Sequence, residues 1–160
     1  MKKDKATIFI VEDDKFYNSV ISNYIKLKGF AVYSFFSGEE MIEFRGVTPD
    51  IILLDYMLPG MNGIETMKKV KPQYPNADYI LISGQTEIKI ALDAIHDGAY
   101  DYIIKDNHAK ETALNKIDQI LKYRKIIREK ENYKKSIVVV GGILLISWIL
   151  LVLGYYFFKK

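Results

Sequence analysis

The sequence contains no cysteine, which excludes a disulfide framework and thiol chemistry and suits a reducing compartment. Histidine is nearly absent too. His96 and His108 are the only two, and with no partner constellation around either they read as surface residues rather than bases or ligands. Four prolines in 160 residues and no Ser/Gly-rich run leave no flexible linker, and no internal repeat is visible. The start, Met1-Lys2-Lys3-Asp4-Lys5, is charged. The apolar run Ala6–Val11 behind it is nevertheless too short for a secretion signal and runs into Glu12-Asp13-Asp14.

The charge that is present divides unevenly. Residues 1–106 carry 12 Lys/Arg against 16 Asp/Glu, net −4, whereas residues 107–160 carry 11 against 4, net +7. The acidic first part argues against nucleic acid as a partner. In the second part, Ile137 to Phe158 is 22 residues without a charge, bracketed by Lys134-Lys135 and Lys159-Lys160. As a helix it extends roughly 33 Å, against a hydrocarbon core of about 30 Å. A domain this small could not bury such a helix, so the segment is read as a single membrane span.

Seven cations lie in residues 122–135 and two follow the span. That excess predicts the preceding domain on the cytoplasmic side, with attraction to anionic head groups. Tyr133 on one side and Tyr155-Tyr156 on the other fall at interfacial depth. Gly141, Gly142, Ser147 and Gly154 permit close helix approach without a Gly-x-x-x-Gly spacing, so a homodimer stays an open option. The expected organisation is a folded domain over 1–123, a basic juxtamembrane helix over 124–136, the span over 137–158 and a two-residue tail, 159–160. No extracytoplasmic sensor and no DNA-binding or enzymatic output domain is expected.

Within the first part, apolar β-prone runs alternate with helical periodicity. Strands are predicted over Ala6–Val11, Phe30–Ser34, Ile51–Leu54, Asp78–Ser83 and Tyr100–Lys105. Helices fall between them. The first carries Phe16, Tyr17, Val20, Ile21, Tyr24, Ile25 and Leu27 at helical spacing, capped by Asp14 and ended by Gly29. Others run from Ser37 to about Arg45, with Ser37 and Glu40 at capping-box spacing, over about Ile64–Lys71, over Thr86–Asp97 before Gly98, and from about Lys110. Five such units imply an α/β fold, a flavodoxin-like doubly wound parallel sheet with the first and third strands adjacent.

That strand order brings chemistry to one edge. Ile51–Leu54 reads as a strand buried on both faces and ends in Asp55, followed by a loop with Pro59, Gly60 and Gly63. Glu12 and Asp13 end the neighbouring strand. Three carboxylates at adjacent strand ends repel one another unless a cation holds them, and hard oxygen ligands with positions left for water suit Mg²⁺. Ser83 and Lys105, at the ends of the fourth and fifth strands, add a hydroxyl donor and an ammonium suited to an anion.

These residues carry a resemblance. Val11-Glu12-Asp13, Asp55-Tyr56-Met57-Leu58-Pro59-Gly60-Met61-Asn62-Gly63, Leu81-Ile82-Ser83-Gly84 and Asp101-Tyr102-Ile103-Ile104-Lys105 make residues 6–123 similar to the receiver domain of two-component response regulators. The resemblance implies that Asp55 is the phosphoacceptor and that Glu12, Asp13, Asp55 and the Met57 backbone carbonyl hold Mg²⁺. It further implies that Ser83 and Lys105 contact the phosphoryl oxygens, with Ser83 and Tyr102 as the switch. The implied partners are a histidine kinase or phosphotransfer protein and a downstream protein. The implied location is a bacterial inner membrane with the receiver in the cytoplasm. Met57 and Gln85 stand at positions that tune rates in that family.

One departure is Asp106, where the family has proline after the lysine. A cis bond there costs a residue other than proline about 3 kcal/mol, so an altered loop and altered kinetics are expected, with the chemistry retained. A phosphorylation-independent docking module is the alternative. An Asp-nucleophile phosphatase would need a second aspartate where Met57 stands, and a dinucleotide site needs a Gly-rich loop where the first strand ends in acids.

Overall fold

The computed structural model describes residues 5–158, with side chains through residue 150. The tail at 159–160, most of the charged start and the side chains of Tyr155-Tyr156 lie outside the described residues. The chain divides into two compact units, residues 1–118 and 119–160.

In the first unit, β1 (Thr7–Val11), β2 (Ala31–Phe35), β3 (Ile51–Asp55), β4 (Asp78–Ser83) and β5 (Asp101–Ile104) form one parallel sheet in the order β2-β1-β3-β4-β5. The doubly wound order and the pairing of the first and third strands are as expected from the sequence. All five residues of β3 are buried, as a central parallel strand requires. Side chains alternate across the sheet. Phe9, Val11, Ile52, Leu54, Tyr79 and Leu81 join Met41, Met67, Val70 and Ala94 in one apolar cluster. Ile21, Ile25, Ala113 and Ile117 are buried outside that cluster.

Between the strands run α1 (Lys15–Leu27), α2 (Gly38–Glu43), α3 (Gly63–Val70) and α4 (Ile88–His96), and α5 (Ala109–Phe158) follows β5. Asp14 caps α1, its Oδ1 accepting from Tyr17 N at 2.9 Å, and the helices before Gly29 and Gly98 end at positive φ of 96° and 95°. The buried face of α1 differs from the apolar periodicity. Phe16 and Leu27 are 79% and 85% exposed, while Asn18 and Ser22 are buried with Ile21 and Ile25. Asn18 Nδ2 donates to Glu12 O and Phe35 O, both at 3.0 Å, and Ser22 Oγ bonds Asn18 Oδ1 and Ser34 Oγ. Asn18 thus supplies donors to carbonyls at the β1 and β2 ends, so a polar face fits better than an apolar one.

At α2, Ser37 Oγ caps Glu40 N, but the Glu40 carboxylate accepts from Phe36 N at 2.6 Å rather than from Ser37 N. The reciprocal capping box stands at α3 instead, between Asn62 and Glu65. α4 begins at Ile88, two residues later than its sequence suggests, with Glu87 at the cap position and no side-chain cap hydrogen bond.

In the second unit every residue from Lys125 to Leu150 is exposed. Among the described residues α5 is the one helix long and apolar enough to cross a membrane by length and composition, and none of its apolar window is buried within the protein.

Gly63 fixes how α3 meets the site. A Cβ there would strike the Asp55 carbonyl oxygen and crowd Tyr56 Cα, and Gly63 N donates to Tyr56 O at 2.9 Å. Both obstacles are backbone and cannot rotate away. Gly63→Ala is therefore expected to cost about 3 kcal/mol, read as a lower thermal midpoint, with a larger loss than Gly84→Ala, whose Cβ meets open space.

Candidate functional site

The parallel register places the functional residues along the carboxyl edge of the sheet. Val11 pairs with Leu54 and Asp55 with Ile82, so Glu12, Asp55 and Ser83 follow one another across β1, β3 and β4. Lys105 N donates to Ser83 O at 2.7 Å, which pins the lysine backbone beside β4. Glu12 and Asp55 are each 2% exposed, while Asp13 faces solvent.

The Lys105 ammonium lies 2.6 Å from Glu12 Oε2 and 2.7 Å from Asp55 Oδ2, donating a hydrogen bond to the latter. Asp55 Oδ1 accepts from Met57 N at 3.1 Å. Glu12 Oε2 has the ion contact with Lys105 but no aligned hydrogen-bond donor, although it is buried. Burial pushes the Glu12 carboxyl up to about 7, with Asp55 adding to the rise and Lys105 opposing it. Burial pulls the Lys105 ammonium down, but its close pairing with the Asp55 and Glu12 carboxylates outweighs it and leaves Lys105 above the ordinary lysine range.

One ligand oxygen from each of Glu12, Asp13 and Asp55 lies within 4.8 Å of the others. A buried, poorly satisfied carboxylate oxygen beside two more hard oxygen donors fits a divalent cation of the Mg²⁺ kind, with the solvent-facing side open to water. The structure thus brings together Glu12, Asp13, Asp55 and Lys105, with Met57 on the adjoining loop.

Ser83 and Tyr102 sit beside this group and bond elsewhere. Ser83 Oγ accepts from Gln85 N at 3.0 Å, and the Tyr102 hydroxyl donates to Gln85 O at 2.9 Å. Gln85 enters through its backbone, which no side-chain motif could announce. Asp106 turns its Oδ1 to His108 N at 2.8 Å, at the turn into α5; peptide bonds are trans among the described residues. Lys105 reaches both carboxylates with this loop as it is. His96 and His108 are exposed. Two further residues near the site are not singled out by the sequence: Asn18, which holds the Glu12 carbonyl, and Tyr17, whose ring lies 4.8 Å from Lys105 Nζ. Only helical spacing marks Tyr17.

Residues 8–118 match the response regulator receiver domain model. The chain is 33% identical over 131 residues to a cyclic di-GMP phosphodiesterase of Thermotoga maritima, covering 82% of this chain and 35% of that protein. It is 29% identical over 133 residues to the C4-dicarboxylate transport transcriptional regulatory protein DctD of Rhizobium meliloti, covering 81% and 28%. The chain thus spans about a third of the length of these curated relatives. Among solved structures, the BeF3-activated receiver domain of DrrB superposes with a TM-score of 0.67 at 25% identity, covering 74% of this chain and 98% of that one.

The raised Glu12 carboxyl gives metal binding a pH dependence. A cation must displace its proton, so apparent Mg²⁺ affinity is expected to rise roughly tenfold from pH ~6 to ~8 and to level off above about 7. Without metal, stability falls as pH rises from 4.5 to about 7, because the unfolded chain releases this proton first. Mg²⁺ titrations by intrinsic fluorescence check the first expectation, and Glu12→Gln should flatten the profile. Equal affinities at both pH values would refute it.

Proposed function

This chain belongs to the response regulator receiver domain family, and from that premise we propose that it is a phosphorylation-switched binding module held at a membrane. Receiver domains accept a phosphoryl group on aspartate. In this reading the acceptor is Asp55, and the donor is a histidine kinase or phosphotransfer protein. A carboxylate oxygen of Asp55 forms the new bond to phosphorus while the bond from phosphorus to the donor nitrogen breaks, and the donor leaves as free histidine.

The observation that carries the reading is the Lys105 ammonium set between Glu12 Oε2 and Asp55 Oδ2 at 2.6 and 2.7 Å. Transfer of this kind needs little covalent help; it needs positioning and neutralisation of charge on the equatorial oxygens. Lys105 supplies a fixed positive charge at the acceptor, and Met57 N holds the other oxygen of Asp55, orienting the carboxylate. Mg²⁺, when bound by Glu12, Asp13, Asp55 and the Met57 carbonyl, would add the remaining neutralisation. The reach of Lys105 favours this reading over a phosphorylation-independent docking module, whose motive is the replacement of proline by Asp106.

The switch follows from the new charge. Ser83 Oγ exchanges its contact with Gln85 N for a phosphoryl oxygen, and Tyr102 moves with the loop. Exposed Ile88, Leu92 and Ile95 on α4 offer a nearby apolar surface for a downstream protein. The anchor is the span over 137–158, preceded by the basic segment 124–136, with the receiver, residues 1–123, in the cytoplasm of a bacterial cell. Support comes from the uncovered apolar stretch and the cation excess before it. The output activities of the longer relatives are not carried over.

Incubation with acetyl phosphate and Mg²⁺ should give a Phos-tag-retarded species that Asp55→Asn abolishes; unchanged retardation in that variant would sink the acceptor assignment. Fractionation tests the anchor. The full chain should sediment with membranes and resist carbonate while dissolving in detergent, and removal of residues 137–158 should move it to the supernatant. A soluble full chain overturns the membrane reading.

A further inference from the structure

We propose that Tyr17 is a positioning residue for phosphoryl transfer, its ring roofing the Lys105 ammonium and holding it between Glu12 and Asp55. The inference rests on the acceptor reading given above. Tyr17 is the third residue of α1, and its N–H donates to the capping Asp14 Oδ1 at 2.9 Å, which fixes its backbone at the first turn. Its ring centroid lies 4.8 Å from Lys105 Nζ, inside the ~6 Å range of a cation–π contact. The ammonium therefore meets Glu12 Oε2 at 2.6 Å, Asp55 Oδ2 at 2.7 Å and an aromatic face.

Two observations separate this role from ordinary packing. Tyr17 is only half-buried and does not belong to the buried face of α1, which runs through Asn18, Ile21, Ser22 and Ile25. Its hydroxyl is buried without a hydrogen-bond partner, so the polar end that normally justifies a buried tyrosine over phenylalanine is unused here. What the position uses is the ring. A lysine on a four-carbon stem has many rotamers, and two anions alone define a line of approach rather than a single seat. An aromatic face on a third side removes much of that freedom while shielding the ammonium from water.

The test uses the full chain in detergent micelles, with acetyl phosphate and Mg²⁺ as probe, and follows the rate at which Asp55 is labelled. Tyr17→Leu removes the π face while keeping an apolar side chain and should slow labelling roughly tenfold, a value within the cation–π range. Tyr17→Phe keeps the face and should label within about twofold of the unsubstituted chain. In a Lys105→Ala background, Tyr17→Leu should add no further loss, because the group it positions is gone. A loss from Tyr17→Leu that persists in full without Lys105 overturns the proposal. So does Tyr17→Phe labelling as slowly as Tyr17→Leu, or Tyr17→Leu labelling at the normal rate. If Tyr17→Leu disturbs the fold by circular dichroism, Tyr17→Met takes its place; if both unfold, the residue is structural and the proposal fails. Absence of labelling in the unsubstituted chain defeats the acceptor reading and this inference together.

Discussion

Two buried carboxylates at the ends of adjacent strands, bridged by one ammonium, are the constraint around which the rest of this domain is arranged. Glu12 and Asp55 each retain 2% exposure, and charges so placed are costly without a partner. Lys105 offsets that cost from the end of β5, 50 residues along the chain from Asp55. The lysine can do so only because β4 and β5 are parallel and in register, with Lys105 N bonded to Ser83 O. An apolar core supplies the stability; the carboxyl edge spends part of it on concentrated charge. Such an arrangement is ready for a divalent cation or an anion carried with one, since either changes the electrostatic balance among charges held a few ångströms apart.

Much of this was legible because each strand end is marked by a change of residue class. The apolar blocks Phe9-Ile10-Val11 and Ile52-Leu53-Leu54 stop at Glu12 and Asp55, and the parallel order then determines which ends are neighbours. Ser83 and Lys105 could be placed by the same reasoning. The polar seam under α1 was not legible, because Asn18 and Ser22 interrupt an apolar rhythm that Phe16 and Leu27 continue on the exposed side. Periodicity records where apolar residues recur, whereas Asn18 is buried to donate to the Glu12 and Phe35 carbonyls. The Asn62 to Glu65 capping box has a readable spacing beside Gly63, yet the more obvious serine spacing points to Ser37 and Glu40. There the glutamate reaches one residue further back, to Phe36.

Contacts made by backbone or by the side of a ring lie beyond any reading of residue types. Gly63 illustrates the point: its value is the space it leaves for the Asp55 carbonyl, not any freedom of φ. The two units also dispose of apolar surface differently. Its first unit buries an apolar sheet within protein, while the second displays an apolar helix that no other part of the described chain covers. A basic segment precedes the apolar stretch.

The backbone of Gln85 holds the Ser83 hydroxyl on its nitrogen and the Tyr102 hydroxyl on its oxygen. Those two atoms belong to successive peptide planes, each rigid, hinged at the one Cα between them. A swing of the loop at that hinge moves both partners, and a disturbance of either hydroxyl tugs on the other. The two hydroxyls are thus linked through one residue's main chain, with no part taken by its side chain.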